Sequence, residues 1–146
     1  MTDPKEIRAT LLKTAADFIQ CYNKWTIEAV LSLRTDTCKQ TVRPASLGVP
    51  TFAKADYGTF VGPFMALLSD CKFEIVDDNE TVVDAEKRKV VIHVQASASS
   101  PVGEYKNEYQ WTLTMTEDGK MIEDILEFTD SATAVDFFRK QAQMDV

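Results

Sequence analysis

A chain of 146 residues has the length of one ordinary domain and can bury a core without disulfides or metal. Its formal net charge of −7 and isoelectric point near 4.7 argue against nucleic acid or an anionic membrane as partner, since both need basic patches. Cys21, Cys38 and Cys71 lack C-x-x-C spacing, and with one histidine in the chain neither a disulfide framework nor a metal site is indicated.

Met-Thr-Asp-Pro-Lys-Glu opens a helix rather than a signal sequence, with Thr2 or Asp3 as its cap and Pro4 at its first position. Ile7, Leu11, Ala15, Phe18 and Tyr22 form an apolar stripe at helical spacing. Thr26 caps a shorter helix over Ile27 to Leu33, ending near Arg34. Thr37 to Arg43 alternates weakly and reads as a strand that Pro44 stops; Ala45 to Pro50 is a loop. Ala55 to Leu68 reads as a third helix, although Gly58, Gly62 and Pro63 disfavour its interior. From Cys71 the period becomes two: Cys71 to Val76 pairs with Thr81 to Asp84, and Lys89 to Ser99 forms a longer strand. No apolar run approaches the ~20 residues that span a bilayer, so the expected compartment is the cytoplasm.

After the turn Ser100 to Gly103 come two alternating runs, Gly103 to Thr116 and Met121 to Asp130, joined by Glu117-Asp118-Gly119-Lys120. The turn rules favour a three-residue loop with Gly119 left-handed and Thr116 opposite Lys120. Trp111 then faces Ile125, Tyr109 faces Glu127 and Asn107 faces Thr129, which gives one strand face rings, an amide and a carboxylate. A two-residue Asp118-Gly119 turn would instead oppose Tyr109 to Phe128 and turn Glu127 away. Ser131 caps a last helix carrying Val135, Phe137 and Phe138. Helices first and a strand meander afterwards predict one α+β domain: a curved antiparallel sheet wrapped around the N-terminal helices as a cone.

Two readings compete for Glu127: a solvated strand carboxylate, or a desolvated acid whose raised pKa suits proton transfer. His93, if the Ser100 to Gly103 connection keeps parity, shares with Gln95 the face of Tyr109 and Trp111 as a second acid–base candidate. Asn107, Tyr109 and Trp111 either bind substrate or simply pack across strands. Arg34 is a candidate clamp for a carbonyl oxygen, or a cation placed at a helix C-terminus. Asp56 is a candidate acid, or a favourable charge at a helix N-terminus. Ser46 lies in no G-x-S-x-G elbow, and neither G-x-G-x-x-G nor a P-loop is present.

Three stretches carry a family resemblance: Leu33-Arg34-Thr35-Asp36-Thr37-Cys38, Arg43-Pro44-Ala45-Ser46-Leu47-Gly48, and Gly103 to Tyr109 followed by Leu126 to Ser131. Together they resemble the SnoaL-like polyketide cyclase group, in the superfamily named for nuclear transport factor 2. The isomerases that rearrange terpenoid rings in fungal meroterpenoid pathways are especially similar, over roughly Ile7 to Phe138. The resemblance implies a cofactor-free homodimer whose cone pocket does acid–base chemistry on a polycyclic terpenoid-polyketide ketone, ester or lactone. By position it makes Arg34, Asp56 and Glu127 functional. Glu127, with His93 in reserve, would take a proton beside a carbonyl, Arg34 with Asn107 or Tyr109 would hold the oxygen, and Asp56 would return the proton. The rival readings are a polyketide cyclase, dehydratase or hydrolase of the same superfamily, and a non-catalytic dimeric ligand-binding module.

Overall fold

A computed structural model describes residues 3–144 of the chain. Helix α1 (Pro4–Asn23) is capped by Asp3, whose side chain accepts from the Lys5 amide at 3.0 Å; Thr2, the other expected cap, lies outside the described residues. The predicted stripe is the buried face of α1. Thr26 caps α2 (Ile27–Leu31), which stops two residues short of the expected end. Arg34 therefore opens strand β1 (Arg34–Arg43) instead of closing a helix. A two-residue strand β2 (Phe52–Ala53) leads into α3 (Lys54–Leu67), which runs through Gly58, Gly62 and Pro63 unbroken. The strands β3 (Ser69–Ile75), β4 (Val82–Asp84), β5 (Lys89–Ser100), β6 (Gly103–Met115) and β7 (Ile122–Thr129) follow, and α4 (Ser131–Met144) ends the described chain. Asp130, not Ser131, caps α4: its carboxylate accepts from the Thr133 amide at 3.3 Å and hydroxyl at 2.8 Å.

The strands form one curved sheet in the order β2-β1-β7-β6-β5-β3, with β4 also paired to β5. The expected pairing of β3 with β4 does not occur; each pairs antiparallel with a different half of β5. The sheet is also not wholly antiparallel, because β1 and β7 run parallel. No hairpin joins these two strands, so no local rule sets their direction. The fold is the cone-shaped α+β arrangement expected: α1 lays Leu11, Phe18 and Tyr22 against inward residues such as Ile92, Trp111 and Leu113. Burying such side chains stabilises the fold by about 1.5–3 kcal/mol each.

Two hairpins decide which side chains enter the cone. At the β6–β7 corner the Thr116 amide donates to the Met121 carbonyl at 2.9 Å and the Gly119 amide to the Thr116 carbonyl at 2.8 Å, so the loop is one residue longer than predicted. A register irregularity between Thr114 and Met115 adds a second residue, and Trp111 pairs with Glu127 and Tyr109 with Thr129. The expected pairs are displaced by two, an even number, so Glu127 keeps the predicted face. Gly119 does adopt the left-handed conformation, at φ +76°. At the β5–β6 corner Ser100 pairs with Gly103, which sets even-numbered residues of β5 opposite odd-numbered residues of β6. Ile92 and Val94 thus share the face of Trp111 and Tyr109, whereas His93 and Gln95 lie on the outer face.

Candidate active site

Between the concave sheet face, α1, α3 and α4 lies a cavity of about 390 Å³. Its wall is chiefly aromatic, with Tyr22, Trp25, Tyr57, Phe64, Phe73 and Trp111 among the lining residues. Phe60 of α3 and Val135 and Phe138 of α4 also line it while remaining 44%, 43% and 45% exposed, which marks them as its mouth.

Glu127 is the carboxylate that lines this cavity. Inward on β7, it is partly accessible by surface area because it borders the cavity, yet protein surrounds it and desolvates it. That desolvation pushes its pKa up to about 7, against the opposing effects of a hydrogen bond from Gln40 and the charge of Arg34. Gln40 Nε2 donates to Glu127 Oε1 at 2.7 Å.

Arg34 stands behind this wall at 1% exposure. Its guanidinium donates from Nη1 to Gln40 Oε1 at 2.6 Å, from Nη2 to the Tyr22 hydroxyl at 3.0 Å and from Nε to the Val30 carbonyl at 3.2 Å. Its Cζ also sits 4.3 Å from the Tyr57 ring centroid, within cation–π range. Three hydrogen bonds and an aromatic face compensate a buried charge that touches no carboxylate directly.

Two pairs of tyrosines face the cavity around Glu127. The Tyr22 and Tyr57 hydroxyls lie 2.7 Å apart, and the Tyr105 and Tyr109 hydroxyls 2.8 Å apart. Each pair has two protons and shares one. Arg34 occupies an acceptor position on Tyr22, and the Asn107 amide one on Tyr105 at 3.0 Å, so each pair keeps a proton for an oxygen in the cavity. Burial raises the pKa of all four phenols, which therefore stay neutral donors at physiological pH. The Asn107 amide nitrogen also reaches Thr129 Oγ1 at 3.2 Å, and its oxygen accepts from the Glu108 amide at 2.8 Å, so Asn107 chiefly orders the tyrosines.

Of the residues singled out in the sequence, Glu127, Asn107, Tyr109 and Trp111 line the cavity, and Arg34 supports it from behind. Three are placed elsewhere. His93 lies on the outer sheet face between Glu80, 2.9 Å from Nδ1, and Glu108, 2.6 Å from Nε2; hydrogen bonds to these acids push its pKa up. Gln95 is exposed on that same face, and the parity of the Ser100 to Gly103 turn removes both residues from the cone. Asp56 is exposed in the first turn of α3, where it serves the helix N-terminus, while the adjacent Tyr57 points inward. Gln40, Tyr22, Tyr57 and Tyr105 were not anticipated as site residues, although the apolar faces of the first and third helices already placed Tyr22 and Tyr57 inward. The signal for Gln40 was an amide between Cys38 and Val42 in an alternating strand, a polar residue in an apolar row. Among the described residues no group of three or more His, Cys, Asp or Glu is arranged to hold a metal ion.

No protein-family model matches the chain. It is 34% identical over 147 residues to austinoid biosynthesis clusters protein F of Emericella nidulans, which covers 98% of this chain and 83% of that protein. Its structure is similar to that of the BvnE pinacolase from Penicillium brevicompactum, with a TM-score of 0.91 and 31% identity over 98% of this chain and 97% of that one. A SnoaL-like protein from Shewanella denitrificans matches with a TM-score of 0.70 over 88% and 96% of the two chains; at 10% identity this likeness concerns the fold alone.

Proposed function

The chain belongs to the SnoaL-like family of fungal meroterpenoid-biosynthesis proteins, and from that premise we propose that it is a cofactor-independent acid–base isomerase of a polycyclic terpenoid-polyketide intermediate. The observation that carries this reading is Glu127, a carboxylate in an aromatic cavity with a pKa of about 7. A group with that pKa is a competent base and, once protonated, a competent acid at neutral pH.

In the proposed reaction Glu127 takes a proton from carbon beside a carbonyl. The C–H electrons pass into a carbon–carbon double bond, and the carbonyl becomes an enolate oxygen. The unshared proton of the Tyr22–Tyr57 or Tyr105–Tyr109 pair stabilises that oxygen, in a cavity where such a bond is stronger than in water. Return of the proton from Glu127 to another position completes a rearrangement without change of mass. Arg34 acts through Gln40 and Tyr22 rather than on substrate, since it does not line the cavity.

The likeness to a pinacolase supports a 1,2-shift of carbon as a second form of the chemistry; a vicinal diol would lose water in such a shift, whereas an α-hydroxy ketone keeps all its atoms. Here Glu127 takes the proton of a hydroxyl whose carbon adjoins a carbonyl. A carbon–carbon bond migrates to the carbonyl carbon, the carbinol carbon becomes the new carbonyl, and the resulting alkoxide is protonated. This product too is isobaric.

Incubation with polycyclic keto-ester candidates and mass analysis tests the reading. An isobaric product is expected, and a product lighter by one water would contradict isomerisation. Glu127→Gln is expected to lower kcat by about 10²–10⁴-fold, the usual worth of a positioned proton-transfer group. Unchanged turnover in that variant would remove Glu127 from the chemistry, whereas saturable binding with no turnover in the wild type would favour a ligand carrier instead.

A further inference from the structure

We infer that Gln40 is a positioning residue that carries the influence of the buried Arg34 to Glu127 and assigns the two carboxylate oxygens different roles. This rests on the reading of Glu127 as the acid–base group, but its geometry stands apart from any substrate.

An amide can be turned either way round, and here the network leaves one choice. A guanidinium only donates hydrogen bonds, so the Gln40 atom 2.6 Å from Arg34 Nη1 has to be the oxygen. The nitrogen is then the atom 2.7 Å from Glu127 Oε1, and it donates. Arg34 in turn is held by the Val30 carbonyl, the Tyr22 hydroxyl and the Tyr57 ring, so it cannot swing away and free the amide. Gln40 itself is 1% exposed, which leaves no water to replace either partner.

Two consequences follow for Glu127. The donated bond favours its ionised form, which offsets part of the desolvation. It also occupies Oε1, while Oε2 has no hydrogen-bond partner among the described residues. Oε2 is therefore the oxygen that takes the substrate proton, and Oε1 stays anchored throughout. The other groups facing this carboxyl are the phenols of Tyr22 on α1, Tyr57 on α3 and Tyr105 and Tyr109 on β6, and Arg34 is the positive charge that acts on it. An anchored base beside neutral phenols has its proton affinity set from behind, by β1.

The test is a carbon-13 NMR titration of the Glu127 side-chain carboxyl in the whole protein without ligand, assigned with Glu127→Gln. Gln40→Met keeps the chain length without the amide; Gln40→Glu keeps an acceptor for Arg34 and places a second carboxyl against Glu127. Loss of a charge-assisted hydrogen bond is expected to raise the Glu127 midpoint by about one to two units in Gln40→Met, and the added acid raises it in Gln40→Glu as well. The rising limb of the pH–rate profile should move by the same amount. An unmoved midpoint in either variant that retains the wild-type amide spectrum would overturn the inference. A shifted midpoint with full turnover in Glu127→Gln upholds the relay and removes the proposed chemistry; an unshifted one with turnover lost does the reverse.

Discussion

Arg34 and Glu127 have opposite charges within one wall, and a neutral amide stands between them. The arrangement suits a group that must change charge during a reaction, because a direct guanidinium–carboxylate pair would hold the acid ionised far below neutrality. The same burial has a thermodynamic consequence. A carboxyl raised from 4.5 to about 7 opposes folding once ionised, at about 1.4 kcal/mol per unit, by up to about 3 kcal/mol. Its folded-state pKa lies above the unfolded one, so the contribution favours folding fully below about pH 4.5 and is lost as pH rises through about 7. Glu127→Gln lacks this titration. Urea denaturation should find wild type and variant similar near pH 4.5, with the variant more stable by up to about 3 kcal/mol at pH 8. Equal pH dependence of the two would mean that the carboxyl is hydrated.

At the scale of elements, parity at the two corners selects what enters the cone. The face of Glu127 was legible in the sequence although its register was not, because the loop and the irregularity together displaced the pairing by an even step. His93 and Gln95 were misplaced because two residues, Pro101 and Val102, separate the paired Ser100 and Gly103, and that count reverses the parity expected of β5. Asp56 was misplaced by a single position along α3, a shift of about 100° around a helix. Gln40 could be noticed in the sequence but not paired with Glu127, since the parallel β1–β7 contact joins segments far apart in the chain. The β6–β7 corner is also fastened to α1: Thr14 Oγ1 donates to the Gly119 carbonyl at 2.5 Å. A Cβ on Gly119 would lie 3.2 Å from Ile7 Cδ1 and from Thr10 Cγ2, at a φ of +76°. Gly119→Ala should therefore cost about 1–3 kcal/mol, read as a lower urea midpoint; a midpoint unchanged from wild type would count against this docking.

For the molecule as a whole, the overall charge is negative and the cavity is greasy, with polar groups confined to a few named positions. The α+β layering was legible from the order of helices and strands, and so were the buried faces of α1 and β6. The position of the mouth was not, because it depends on how α3 and α4 meet across the sheet. Both tryptophans of the chain, Trp25 and Trp111, line the cavity, so intrinsic fluorescence reports its occupancy. A steroid ketone should quench or shift that emission saturably, and glucose at equal concentration should not. A response to both or to neither would contradict an apolar, ring-lined site.

The pH dependence of kcat/KM, compared between wild type and Glu127→Gln on a substrate that yields an isobaric product, tests the acid–base role most directly. The wild-type rate is expected to rise with pH around a midpoint near 7, and the variant's rate to be about 10²–10⁴-fold lower with no such rise. A variant that turns over at the wild-type rate, with the same profile, would contradict it.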